Sequence, residues 1–150
     1  MARQHERTLS RKGALQVLYT GVIRNSPASK LLEDGDIQCL DDPLSDYSVM
    51  LVRGVEEHIP EIDERLASIS ENWSVERMPI MDRNILRLAM FEMLYVDDVP
   101  TSVSINEAVE LAKEFGGEDD SPRFVNGMLG RIARQMEAEA DKGGAEVQDA

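Results

Sequence analysis

Cysteine, histidine, aromatic side chains and long apolar runs are all scarce in this 150-residue chain, and each shortage excludes something. The single cysteine, Cys39, rules out an internal disulfide framework and fits a reducing compartment. With no histidine nearby to activate it, Cys39 reads as an inert, half-buried thiol. The two histidines, His5 and His58, each lack a glutamate three residues earlier, so the Glu-x-x-His pairs of a carboxylate-bridged metal bundle are missing. No glycine-rich phosphate loop, cysteine cluster or Ser/His pairing at a recognisable motif is present either. These absences argue against an enzyme and leave no catalytic residue, metal ligand or cofactor to assign. No apolar run approaches the roughly 18 residues of a membrane span. The N-terminus, MARQHERTLSRK, lacks a signal-peptide core, so a cytoplasmic protein is expected. Aromatic residues make up 5% of the chain, methionines number eight and strand-type runs are few, which points to an all-helical protein.

What the chain has in quantity is charge, unevenly spread. The net charge of −13 taken alone disfavours nucleic acid. Residues 1–26, however, carry Arg3, Arg7, Arg11, Lys12 and Arg24 against one acid, for +4, whereas residues 27–72 sum to −9. Residues 73–136 and 137–150 each contribute −4. The pattern is a basic N-terminal arm on an acidic body. Such an arm suits phosphate, and such a body suits a basic protein.

The apolar pattern is organised around Met78 to Tyr95, MPIMDRNILRLAMFEMLY, which is apolar nearly all round and must be covered on most sides by other elements. It predicts a central helix about 25 Å long, with Pro79 at its first position. Its charges Asp82, Arg83, Arg87 and Glu92 are expected to mark the strip that reaches water or a partner. Upstream, Leu15, Leu18, Tyr19 and Val22 recur at helical spacing within a helix from Arg7 to about Arg24. Arg3, Arg7 and Arg11 stand four apart, either as a basic ridge projecting past the packed core or as a solvated, fraying terminus. Ser26-Pro27 ends that helix. Short helical pieces follow near Lys30–Leu32 and Ile37–Leu40, and Asp41-Asp42-Pro43 breaks the chain. An amphipathic helix runs from Asp46 to His58, Pro60 ends or restarts it, and Ile62, Leu66 and Ile69 carry it to about Ser70. His58 reads as a surface residue and Trp73 as a packing residue pinning the 71–77 linker.

Downstream, Asp97-Asp98-Val99-Pro100 closes the central helix. Ser104 with Glu107 forms the Ser-x-x-Glu pattern of a capping box, opening a helix that Gly116-Gly117 stops. A polar turn, Glu118-Asp119-Asp120, leads to Ser121 as N-cap and Pro122 at the first position of the last helix. Val125, Met128, Leu129, Ile132, Ala133 and Met136 stripe that helix. Residues 1–136 read as one domain, and 137–150 as an acidic tail without order. Phe124 falls off the stripe, beside Arg123 and near Asn126. An aromatic ring next to a guanidinium and an amide is the composition that stacks and clamps an unpaired base. The same ring could equally pack on the first or the central helix.

The segments RKGALQVLY from Arg11, ILRLAMFEMLY, DVPTSVSINEAVELAKEFG and RFVNGMLGRIAR resemble the NusB family of transcription antitermination factors. The resemblance spans roughly residues 7–135, matches 27–72 only loosely and does not include the tail. It implies an all-α fold of two packed three-helix subdomains. It also implies binding to the boxA segment of nascent ribosomal RNA, as a single strand, together with the ribosomal protein NusE. The resulting assembly makes RNA polymerase resistant to termination. By the same resemblance Arg7 and Arg11 fall in an arginine-rich RNA-contacting motif, joined here with Arg3 and Lys12. Tyr19 matches a family tyrosine, and Phe124 with the preceding acidic turn (Asp120) matches a second RNA-contacting region, beside which Arg123 and Asn126 stand. Thr8 and Leu9 interrupt the arginine run and thin it. The resemblance also admits a homodimer that covers the RNA face. The alternative is a helical protein-interaction module that does not touch RNA.

Overall fold

A computed structural model of the chain describes residues 2–34, 44–70 and 74–149, with side chains from His5 to Lys142. Six helices carry it: α1 (Ala2–Ile23), α2 (Ala28–Asp34), α3 (Asp46–Ile69), α4 (Ile80–Tyr95), α5 (Thr101–Phe115) and α6 (Ser121–Asp149). A single 3-10 turn, Val75–Arg77, precedes α4. The expectations for Ile37–Leu40, Cys39, Asp41-Asp42-Pro43 and Trp73, and for the Arg3 side chain, lie outside the described residues.

Helices α1, α2 and α3 pack on one another, as do α4, α5 and α6, giving two three-helix subdomains. They meet because α4 also packs on α1 and α3, and α3 on α6. Burial explains why α4 is the spine: Ile85, Leu86, Leu88, Ala89, Met90, Phe91 and Met93 are all inside. Around them sit Leu15 and Val17 of α1, Leu51, Val52 and Val55 of α3, and Leu129 and Ile132 of α6, all fully buried. At the α3–α4 crossing a Cβ on Gly54 would lie 2.1 Å from the Phe91 ring, so only glycine lets that ring lie there.

The local signals for helix ends are partly shifted. Helix α1 terminates through Asn25, whose φ of 52° is left-handed. Its amide reaches Val22 O, and the Ser26 amide reaches Gly21 O, the two reversed bonds of a Schellman end with asparagine in the glycine position. Helix α3 is one rod through Pro60, capped by Ser45, whose side chain accepts from the Ser48 amide. Pro79 occupies the N-cap of α4, one position before the place the sequence assigns it. The Ser104–Glu107 capping box does not form. Helix α5 already begins at Thr101, with the Ser104 amide bonded to Pro100 O and the Ser104 hydroxyl turned into the core. Ser121 is the first residue of α6 rather than its cap. The acidic segment 137–149 continues α6 as helix, tied at its start by Arg65 of α3, which reaches Gln135 at 3.1 Å and Glu139 at 3.0 Å. Among the described residues no helix is long and apolar enough to cross a membrane.

Candidate nucleic-acid interface

The charged strip expected along α4 is not a strip at all. Glu92 and Asp82 are each 2% exposed, and Arg87 is half-buried, paired with Asp63 at 2.7 Å. An ionised group inside a core must be matched by charge and hydrogen bonds, and the two acids are matched differently. Glu92 takes two hydrogen bonds from Arg11 Nε, at 2.8 and 3.1 Å. It also accepts from the Tyr47 hydroxyl at 2.6 Å and the Ser104 hydroxyl at 2.7 Å. This is where the Ser104 side chain goes instead of capping α5.

Arg11 therefore does not lie on a projecting ridge. It is 4% exposed, held by Glu92, with Glu107 3.3 Å from its other nitrogen. Burial of this kind keeps it off a phosphate. Its neighbour one turn earlier, Arg7, shares that face of α1 but keeps 20% exposure. The Arg7 guanidinium donates to Asp98 at 3.0 Å and lies 4.5 Å from the centre of the Tyr47 ring. Asp98 raises the Arg7 pKa further above its ordinary value, so the cation is permanent. Burial, reinforced by Glu92, pushes the Tyr47 phenol well above the ordinary tyrosine range. Thr8, which interrupts the arginine run, donates to Glu107 at 2.7 Å.

Lys12 and Tyr19, seven residues apart, share a second and more open face of α1. Tyr19 is 36% exposed. Lys12 reaches Glu114 at 3.1 Å and stands 5.8 Å from the Phe115 ring, at the C-terminal end of α5. From that point the chain turns into the second candidate region.

Asp82, in the first turn of α4, sets that turn. Its carboxylate accepts from the Gly117 amide at 3.0 Å and from the Ser121 hydroxyl at 2.8 Å, and Ser121 Oγ in turn accepts from the Glu118 amide. A Cβ on Gly117 would come within 2.7 Å of Pro79, so the turn sits flush on the start of α4. A polar depression of about 300 Å³ lies beside it, lined by residues including Lys113, Glu118, Asp119 and Pro122. Asp120, Arg123 and Asn126 are exposed here. Phe124 is not exposed in full: it is half-buried and packs against the core, with part of its ring left accessible.

Sequence reasoning gives no part in the site to Tyr47, Asp82, Glu92, Glu107 or Ser121, reading Glu107 and Ser121 as helix caps and the two acids as an outward strip. Two acids in an otherwise apolar helix were the usable signal. Among the described residues no group of three His, Cys, Asp or Glu side chains could hold a metal.

The family profile described as NusB family matches residues 8–134. The transcription antitermination protein NusB of Salinispora arenicola (strain CNS-205) is 45% identical over 130 residues, covering 85% of this chain and 94% of that protein. A solved structure of T. maritima NusB is similar with a TM-score of 0.74 at 34% identity, covering 85% of this chain and 90% of its own. A crystal structure of the antitermination factors NusB and NusE in complex with dsRNA matches with a TM-score of 0.71 at 27% identity, over 87% of this chain and 98% of that one.

Proposed function

The chain belongs to the NusB family, and we propose that it is a transcription antitermination factor that binds a boxA-type element of nascent ribosomal RNA together with the ribosomal protein NusE. The assembly helps convert RNA polymerase to a termination-resistant complex in the cytoplasm. The observation that carries this reading is the match from residue 8 to residue 134, which takes in Lys12 and Tyr19 of the first candidate region, though not Arg3 or Arg7, and the whole of the second. Function here is recruitment, with no bond made or broken.

The RNA face assigned to this chain runs from α1 to the start of α6. Arg7, Lys12 and Arg123 neutralise phosphates, with Arg3 extending the same arm. Tyr19 and the outer edge of Phe124 stack on splayed bases, while Asn126 and Asp120 read base edges. Arg11 acts through the fold, as the anchor of α1. The acidic body offers the complement to a basic ribosomal protein. Exposed Leu9, Tyr19 and Ile23 on one side of α1 favour a homodimer that would compete with RNA by mass action.

Fluorescence anisotropy with a boxA-type strand, with and without NusE, tests the reading. Affinity should rise sharply with the partner and fall with Arg7→Ala and Phe124→Ala. With about three phosphates engaged, the log–log salt slope should be roughly −2. The pairing of Arg7 and Lys12 with the chain's own carboxylates favours a second reading, a helical protein-interaction module. Absence of RNA binding with or without NusE would establish it.

A further inference from the structure

The cations of α1 already have anions. Helix α1 packs on α2, α3 and α4, but its link to α5 and the turn before it is built from side chains: Arg7 to Asp98, Thr8 and Arg11 to Glu107, Lys12 to Glu114. These pairs are not alike. Glu107 is 13% exposed and faces the buried Arg11, so it is fixed. Asp98 and Glu114 are 53% and 52% exposed, and both can swing into water without uncovering any core. Their cations stay put. Arg7 rests on the Tyr47 ring, itself held by Glu92, and Lys12 lies along Phe115.

A carboxylate oxygen 3.0 Å from a guanidinium nitrogen occupies the position a phosphate oxygen would take, with the same charge-assisted hydrogen bond. We propose that Asp98 and Glu114 are built-in stand-ins for RNA phosphate, a removable pair of anions that an incoming strand must displace. Because exposed ion pairs are weak, the barrier is small. It weighs most on strands held only through phosphates at these two cations, and least on strands that base contacts seat whether or not both anions are displaced. Asp98 and Glu114 are thus specificity-determining residues of the RNA face. This inference rests on the reading of α1 as part of that face.

The test uses the full chain and two fluorescein-labelled strands of equal length, a boxA-type RNA and oligouridylate. Asp98→Asn with Glu114→Gln should tighten oligouridylate binding about three- to tenfold. The boxA strand should gain less, and the salt slope for oligouridylate should steepen. A control with the same change of net charge, Glu57→Gln with Glu64→Gln on the exposed side of α3, should change affinity less than about twofold, since only remote field effects remain. Adding Arg7→Ala and Lys12→Ala to the first variant should abolish its gain. A gain no larger than the control, or one that survives loss of both cations, overturns the proposal and leaves the RNA face intact. If Arg7→Ala with Lys12→Ala in the unaltered chain changes neither affinity, the RNA-face reading itself is overturned and the proposal falls with it.

Discussion

The two ends of α4 solve one problem in two ways. Near its C-terminal end, Glu92 sits buried where the helix dipole is unfavourable to an anion, and it is answered by the full charge of Arg11 with two hydroxyls in support. In its first turn, Asp82 sits equally buried where the dipole favours an anion, and a backbone amide and a serine hydroxyl are enough. Each acid holds one half of the candidate RNA face, Glu92 the arm and Asp82 the α5–α6 turn. The difference shows that the placement of a buried charge along a helix decides how strong its partner must be.

Breaking the charged end should cost most. Arg11→Ala is expected to destabilise the fold by about 3–5 kcal/mol, because Glu92 is left buried and unpaired. Urea denaturation reads this directly, and a loss below about 1 kcal/mol would mean the pair is not the anchor. At the other end, Asp82→Ala should cost about 2–3 kcal/mol, the penalty for orphaning the Gly117 and Ser121 donors without stranding a charge. A cost equal to that of Arg11→Ala would erase the distinction between the two ends. Ser121→Ala isolates a single bond of the Asp82 set and should cost about 1 kcal/mol. It should also weaken RNA binding, since the turn carrying Asp120 and Phe124 loosens.

An effect as small at the charged end is also the most selective. Tyr47→Phe removes one donor from Glu92, worth about 1 kcal/mol at neutral pH. Folded Tyr47 holds its proton to higher pH than the unfolded phenol, so its contribution is complete below about pH 10 and is lost as the pH rises above that. The unaltered chain should therefore lose stability on alkaline titration, and the phenylalanine variant should lose less of it. Equal slopes would show that Tyr47 is not shielded.

How much of this could be read from residues follows the same division. The six helices and the spine were legible because Leu86, Met90 and Met93 repeat an apolar pattern that only a covered helix tolerates. The candidate face was legible where composition is unusual, at Phe124 beside Arg123 and at the clustered arm cations. Arg11 was misread because its partner lies 81 residues away, and periodicity cannot tell an arginine facing water from one facing a buried glutamate. The four-residue spacing of Arg7 and Arg11 was real, but the face they share points toward α4 and α5. The Ser104–Glu107 pair failed for a related reason. Pro100 had already started the helix, and both side chains were drawn into tertiary bonds that outcompete a local cap.

Because α4 belongs to both subdomains, neither can be finished without it, and this bears on how the chain is made. Helices α1 to α3 emerge first, with Leu15, Val52 and Val55 still lacking the wall against which they are buried. About 25 further residues must follow before α4 is complete, roughly one to five seconds at ordinary translation rates. Through that interval the nascent segment exposes a greasy surface and an arginine without its glutamate. The order of synthesis runs against the order of dependence, and the N-terminal half is the stretch a chaperone would be expected to hold.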